Sequence, residues 1–186
     1  AIPDVSGRTR AYNRIAAIQA RNGDLDGAMK TAGRIESAFG DLPALVAIVG
    51  AMAAQGRFDD AIELAANVEA AYGDDTGFIA VAVEMARQDR LDAGLGHAKA
   101  LASAKDRTQA FSDIAVVLAQ KAGVEDALRI TSLIPDRRDQ AEAVHAVATA
   151  LAAMGNDDRA MKIATTTPDP IDFNALVVDI ALAQAR

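Results

Sequence analysis

The chain has 186 residues, of which 51% are apolar and 24% are charged, and its formal net charge is −7. These fractions are typical of a folded chain, and the acidic balance argues against a nucleic-acid binder, which needs Lys and Arg to contact phosphates. Alanine supplies 44 residues and aromatic residues only 4%, which argues against an all-β protein because sheets favour aromatic and β-branched side chains.

Apolar residues at helical spacing predict alternating first and second helices joined by short turns. The first helices are expected near 7–21, 42–55, 76–88, 107–121, 137–154 and 170–185. The second helices are expected near 25–39, 58–72, 91–104, 124–134 and 157–166. Gly23, Gly56 and Gly155 follow first helices, as glycine often does just past a helix C-terminus. Gly94 and Gly96 each cost about 1 kcal/mol relative to alanine and predict a weakened or kinked helix over 91–104.

The same residue types recur every 33 residues without an insertion or deletion. Alanine recurs at Ala20, Ala53, Ala86, Ala119, Ala152 and Ala185. An aliphatic residue recurs at Ile15, Ile48, Val81, Ile114, Val147 and Ile180. An acidic residue, favoured by the helix dipole, recurs where each second helix begins, at Asp26, Asp59, Asp92, Glu125 and Asp158. The predicted units are 7–39, 40–72, 73–105, 106–138 and 139–171, followed by a final helix over 172–186.

Two short runs resemble the middle of a tetratricopeptide repeat, namely Gly56-Arg57-Phe58-Asp59-Asp60-Ala61-Ile62 and Gly23-Asp24-Leu25-Asp26-Gly27-Ala28-Met29. The resemblance implies a single all-α domain over 1–186, a right-handed α-solenoid of stacked antiparallel helical hairpins with about five and a half repeats and about 11 helices. Two features depart from the family. The step is 33 residues rather than about 34. The aromatic residue expected midway along the second helix is replaced by alanine at Ala32, Ala65, Ala98 and Ala164.

The final predicted helix is apolar over most of its surface, whereas a terminal capping helix has a polar outer face. We therefore expect either that the chain is a fragment of a longer array or that another molecule covers this end. End-to-end assembly is assigned to Phe173, Val177 and Leu182.

The tetratricopeptide resemblance also implies a concave groove lined by the first helices. The inward positions carried over from the family are Asn13, Val46, Gly50, Ile79, Val83, Ser112, Val116 and His145. The central positions of this series are apolar. Basic residues at Arg14, Arg21 and Arg87 are expected to hold the acidic flank of a bound segment. The open alternative for the arginines of the first helix is that they balance the acidic neighbouring unit.

The sequence contains none of the common motifs for nucleotide binding, hydrolysis or zinc binding. The chain contains no cysteine, no Walker loop, no Gly-x-Ser-x-Gly and no His-Glu-x-x-His, so we expect no catalysis, no cofactor and no metal site. The longest apolar run, Ala44 to Ala54, is shorter than the roughly 20 residues of a membrane span. The compartment stays open between cytoplasm and periplasm.

The sequence therefore predicts a protein–protein interaction scaffold that binds a peptide or helix in its concave groove. One alternative is a self-assembling structural protein that forms a dimer or filament through its ends, and another is a regulatory or sensor segment of a larger protein. Binding to RNA is disfavoured by the net charge, and neither nucleic acid nor membrane insertion is expected.

Overall fold

The computed structural model describes residues 5–36, 40–121 and 123–166, and these residues form ten helices and no strand. The helices are α1 (Val5–Arg21), α2 (Leu25–Ala32), α3 (Leu42–Ala54), α4 (Phe58–Tyr72), α5 (Thr76–Arg87), α6 (Leu91–Ala100), α7 (Ala104–Gln120), α8 (Val124–Thr131), α9 (Arg137–Ala153) and α10 (Asp157–Thr166). The predicted all-helical class is confirmed. The final predicted helix and its assembly residues Phe173, Val177 and Leu182 lie outside the described residues. Within the described part, no helix is long and apolar enough to cross a membrane.

The turns between paired helices follow the glycine signals of the sequence. Gly23, Gly56 and Gly155 adopt left-handed backbone angles, with φ of 88°, 76° and 75°. Asp89 occupies the equivalent position between α5 and α6 with φ of 62°, and it forms an ion pair with Lys121. Glycine tolerates this conformation without the steric cost of a Cβ atom, which explains why it recurs at the position.

Three of the even-numbered helices end earlier than the sequence predicts, and local hydrogen bonds explain two of the ends. At the end of α8, the Thr131 hydroxyl donates to the Leu128 carbonyl at 2.9 Å and the Ser132 hydroxyl donates to the Arg129 carbonyl at 2.7 Å. After α6, the Arg107 guanidinium donates to the carbonyls of Leu101 and Ala102 at 2.7 and 2.8 Å. Such side-chain bonds satisfy backbone groups that would otherwise favour another helical turn.

Each helix packs against its neighbours in a regular pattern. Every odd-numbered helix contacts the next odd-numbered helix, so that α1, α3, α5, α7 and α9 form one row. Each of the first four even-numbered helices packs against the odd-numbered helices before and after it, and α10 packs against α9. Among the ten described helices, no two even-numbered ones bring their Cα atoms within 8 Å of each other.

Small residues at repeated positions let the helices approach closely. Ala53, Ala86 and Ala119 are at most 1% exposed, and Ile48 and Ile114 at the aliphatic position are fully buried. Interiors are close-packed, so a larger residue at the alanine position would force the helices apart.

Gly94 lies where two helices approach too closely even for an alanine side chain. A Cβ atom on Gly94 would lie 2.5 Å from the Ala82 carbonyl oxygen of α5, whereas a Cβ atom on Gly96 would meet nothing within 4 Å. The helix α6 is continuous through both glycines. Gly94 therefore permits the close contact between α5 and α6. This contact is a structural role that the helix-propensity cost of glycine did not reveal.

Candidate functional site

The odd-numbered helices present one face that no described helix covers. Its members recur every 33 residues, and all of them are exposed or half-buried. We call this surface the open face, and its residues are Arg14, Ala17, Arg21, Ala47, Gly50, Ala54, Ala80, Val83, Arg87, Asp113, Val116, Gln120, Ala146, Thr149 and Ala153. These positions share one side of each helix because they are spaced three or four residues apart. The face is therefore mostly small and apolar, with few charged members.

The predicted groove residues divide between this face and its surroundings. Six of them belong to the open face, namely Arg14, Arg21, Gly50, Val83, Arg87 and Val116. Val46, Ser112 and His145 are half-buried at a neighbouring position of their helices. Ile79 is only 7% exposed and belongs to the buried core around α5 and α7, so the open face does not include it.

Asn13 is held by hydrogen bonds to the next unit. Its Nδ2 donates to the Gly40 carbonyl at 2.6 Å, and its Oδ1 accepts from the Ala44 amide at 2.9 Å. The side chain thereby joins α1 to the first turn of α3, where a backbone N–H has no partner within its own helix. In this structure both polar atoms of Asn13 serve the fold. The partners lie 27 and 31 residues away, which is why local sequence analysis did not find them.

A groove with a cavity of about 560 Å³ lies between α1 and α3. The residues that line it are Ala17, Ala20, Arg21, Ala47, Gly50, Ala51, Ala54 and Gln55, and we call it the α1–α3 groove. Only Arg21 and Gln55 in this set have long side chains. The sequence pattern predicts Arg21 and Gly50 at the groove, whereas the alanines of α3 are marked only by their place within the apolar run from Ala44 to Ala54.

Within the part of the chain that the structure describes, some exposed arginines form ion pairs, whereas those of α1, like Arg137 of α9 and Arg159 of α10, do not. Arg57 and Arg129 form ion pairs with Asp60 and Asp126 at 2.6 and 2.7 Å, and Arg87 pairs with Glu84 at 3.2 Å. In the described residues, the side chains of Arg10, Arg14 and Arg21 make no such pair. They stand one and two turns apart along α1, so they form a basic row beside the α1–α3 groove.

A second cavity, of about 550 Å³, lies between the first turns of α7 and α9. Phe111 and Leu133 give it apolar walls, and Ser112 lies at the position that Asn13 fills between α1 and α3. Two of its acidic residues already have structural roles. Asp136 accepts from the first backbone N–H groups of α9, and Glu142 accepts from Arg138 at 3.1 Å. Asp136 is the N-cap of α9 and Glu142 pairs with a residue of its own helix, so neither carboxylate by itself marks a binding site.

Asp113 is the acidic member of the open face. Its half-buried position raises the pKa of its carboxyl group above the ordinary value, because burial disfavours the charged form. The Gln109 amide donates to Asp113 at 2.9 Å and opposes this rise. A carboxylate that lacks full hydration is a local cost to the fold and a favourable partner for an incoming cation.

Among the described residues, no group of three or more His, Cys, Asp or Glu side chains is placed to hold a metal ion. Comparison of the chain with family models, curated proteins and solved structures gives no match. The likeness to tetratricopeptide repeats therefore stands on the sequence pattern.

Proposed function

We propose that the protein is a non-catalytic interaction scaffold that binds a peptide or helix of a partner protein on its open face. The observation that carries this proposal is the continuity of a small and apolar surface across all five odd-numbered helices of the described part. Contiguous apolar patches on folded proteins often mark interaction sites. The proposed architecture is a right-handed, tetratricopeptide-like α-solenoid whose concave side is the open face. The 33-residue repeat and the row of odd-numbered helices support it.

The centre of the open face is both apolar and held firmly in place. Val83 and Val116 are half-buried and pack against the core that extends from α5 to α10. A partner that covers their exposed sides would bury further apolar area without ordering these side chains again, which lowers the entropic cost of binding.

The test replaces one valine of this centre with a charge. Val83→Glu should abolish partner capture, and Val124→Glu is a matched control because Val124 also packs partly against the same core but lies in α8, off the open face. Both variants are compared with the unaltered protein by quantitative mass spectrometry of captured proteins, after circular dichroism has confirmed their folding. Identical capture by the two variants would contradict the proposal.

A second candidate function is self-assembly through the edge of α1, and differences in exposure favour it. Ile15 is 46% exposed, whereas its equivalents Ile48, Val81, Ile114 and Val147 are fully buried by the preceding helix of the row. Ile18 and Val5 are also exposed, at 47% and 53%. A second molecule could cover these side chains. We expect sedimentation velocity to detect a concentration-dependent oligomer that Ile15→Glu converts to a monomer, and a monomer at every concentration would refute this candidate.

A further inference from the structure

The basic row on α1 has no counter-charge within the described residues, and it stands beside the α1–α3 groove. Arg10, Arg14 and Arg21 are exposed and make no ion pair there, although the second unit is rich in carboxylates. Arg14 and Arg21 are seven residues apart, which places them about 10.5 Å apart along the helix axis. An α-helix lying along α1 repeats its side chains at the same distance when acidic residues are seven positions apart.

The floor of the α1–α3 groove permits a close approach. Ala47, Gly50 and Ala54 present almost no side chain towards the cavity. Glycine inside a helix costs about 1 kcal/mol relative to alanine, yet packing within the chain does not require it at position 50. A Cβ atom there would lie 3.9 Å from the Ala80 Cβ atom, which is an ordinary contact. The absence of a side chain at position 50 leaves room for a bound segment to come close to α3.

The polar groups of the groove favour a helical partner over an extended one. An extended peptide leaves its backbone N–H and C=O groups in need of partners, whereas a helix satisfies them internally. The groove offers side-chain hydrogen-bonding groups only at Arg21 and Gln55, and the nearby Asn13 is bonded to Gly40 and Ala44.

We propose that the α1–α3 groove binds an acidic α-helix of a partner protein, with two carboxylates seven residues apart facing Arg14 and Arg21. This inference rests on the proposed function, because it names the partner of one end of the open face. A protein helix is preferred to a nucleic acid as the anionic partner. The net charge of −7 opposes phosphate chains, and the groove has no aromatic side chain on which a base could stack.

The experiment is a selection from a display library of helical peptides of roughly 18 residues, with randomised surface positions, on the intact protein. The selection is repeated on the double variant Arg14→Glu/Arg21→Glu and on a matched control, Arg34→Glu/Arg159→Glu. The control has the same change in net charge at two exposed arginines outside the open face. Circular dichroism confirms that all three proteins are folded.

We expect the unaltered protein and the control to enrich peptides with Asp or Glu at seven-residue spacing. Affinity for these peptides should fall at least about tenfold on Arg14→Glu/Arg21→Glu and should weaken with added salt, since exposed charge pairs are lost and screened. Selection on the double variant should instead enrich Lys or Arg at the same spacing, which would demonstrate direct pairing.

Absence of any enriched peptide, absence of a charge preference, or equal binding to the double variant would overturn the inference. Displacement of the selected peptides by single-stranded RNA at lower concentration than by an acidic helix would also overturn it, in favour of a polyanion site. Peptides that lose binding on Val83→Glu but not on Arg14→Glu/Arg21→Glu would leave the interaction function standing and refute only the acidic helix. If peptides and captured proteins bind Val83→Glu and Arg14→Glu/Arg21→Glu as well as they bind the unaltered protein, both proposals are refuted.

Discussion

The two glycines of α6 provide a matched pair for measuring how tightly adjacent helices pack. Replacing either one with alanine adds the same methyl group to the same helix and restricts the unfolded chain equally. Gly96→Ala adds a Cβ atom in open space, so we expect a gain in the free energy of unfolding of up to about 1 kcal/mol from helix propensity.

Gly94→Ala adds the same favourable propensity together with a steric conflict. The new Cβ atom would lie 2.5 Å from the Ala82 carbonyl oxygen and 3.4 Å from the Ala86 nitrogen and the Met85 Cβ atom. Carbon and carbonyl oxygen atoms rarely come closer than about 3.3 Å, so α6 must move away from α5 by about 0.8 Å. Overpacking of this kind costs about 1–3 kcal/mol, which gives a net loss for Gly94→Ala of up to about 2 kcal/mol.

Urea unfolding followed by circular dichroism at 222 nm measures both variants against the unaltered protein. The two free energies should differ by about 1–3 kcal/mol, with Gly96→Ala the more stable. Equal stabilities, to within about 0.5 kcal/mol, would show that α5 and α6 are not in close contact at Gly94 and would refute the reasoning.

Three further changes test other parts of the structure. Asn13→Ala leaves the Gly40 carbonyl and the Ala44 amide without their partner, and urea unfolding should show a loss of about 1–3 kcal/mol; an unchanged stability would contradict the structural role of these bonds. Gly23→Ala meets no atom within 4 Å, so thermal unfolding should show only the backbone cost of its φ of 88°, about 1 kcal/mol; a larger loss would reveal an additional contact. Asp113→Asn should stabilise the protein at neutral pH, because a pKa raised by burial means that the ionised carboxylate opposes folding. This gain should disappear as the pH falls below about 4, where the unaltered carboxyl group is neutral in both states, and a gain independent of pH would contradict the assignment.

Much of the fold could be predicted because its signals are local. Gly23 and Asp24 stand next to each other, and they form the left-handed turn and the cap of α2, where Asp24 accepts from the Gly27 amide. A glycine or an acidic residue at a helix end interacts with backbone groups within one helical turn, so sequence spacing alone predicts where the helix begins or ends. The even-numbered helices were predicted too long where Arg107 or Ser132 bonds to a backbone carbonyl, because such bonds depend on the direction of a side chain in space.

The candidate site was less predictable because its residues depend on contacts between units. Ile79 occupies the same repeat position as Val46, yet it is buried, since its longer side chain lies in the core between α5 and α7. Asn13 shares that position and bonds across to α3 instead. Equivalent positions in the sequence thus acquire different roles, because the residues opposite them in the next helix differ.

The wide backbone spacing of the even-numbered helices in the described part has a mechanical consequence. The backbones of α2, α4, α6 and α8 do not approach one another, so each unit is joined to the next through the row of odd-numbered helices and through the packing of an even-numbered helix on the following odd-numbered one. Arrays in which each unit contacts only its neighbours distribute strain along their length. A partner seated on the open face would therefore contact the side on which neighbouring units are joined directly, helix to helix.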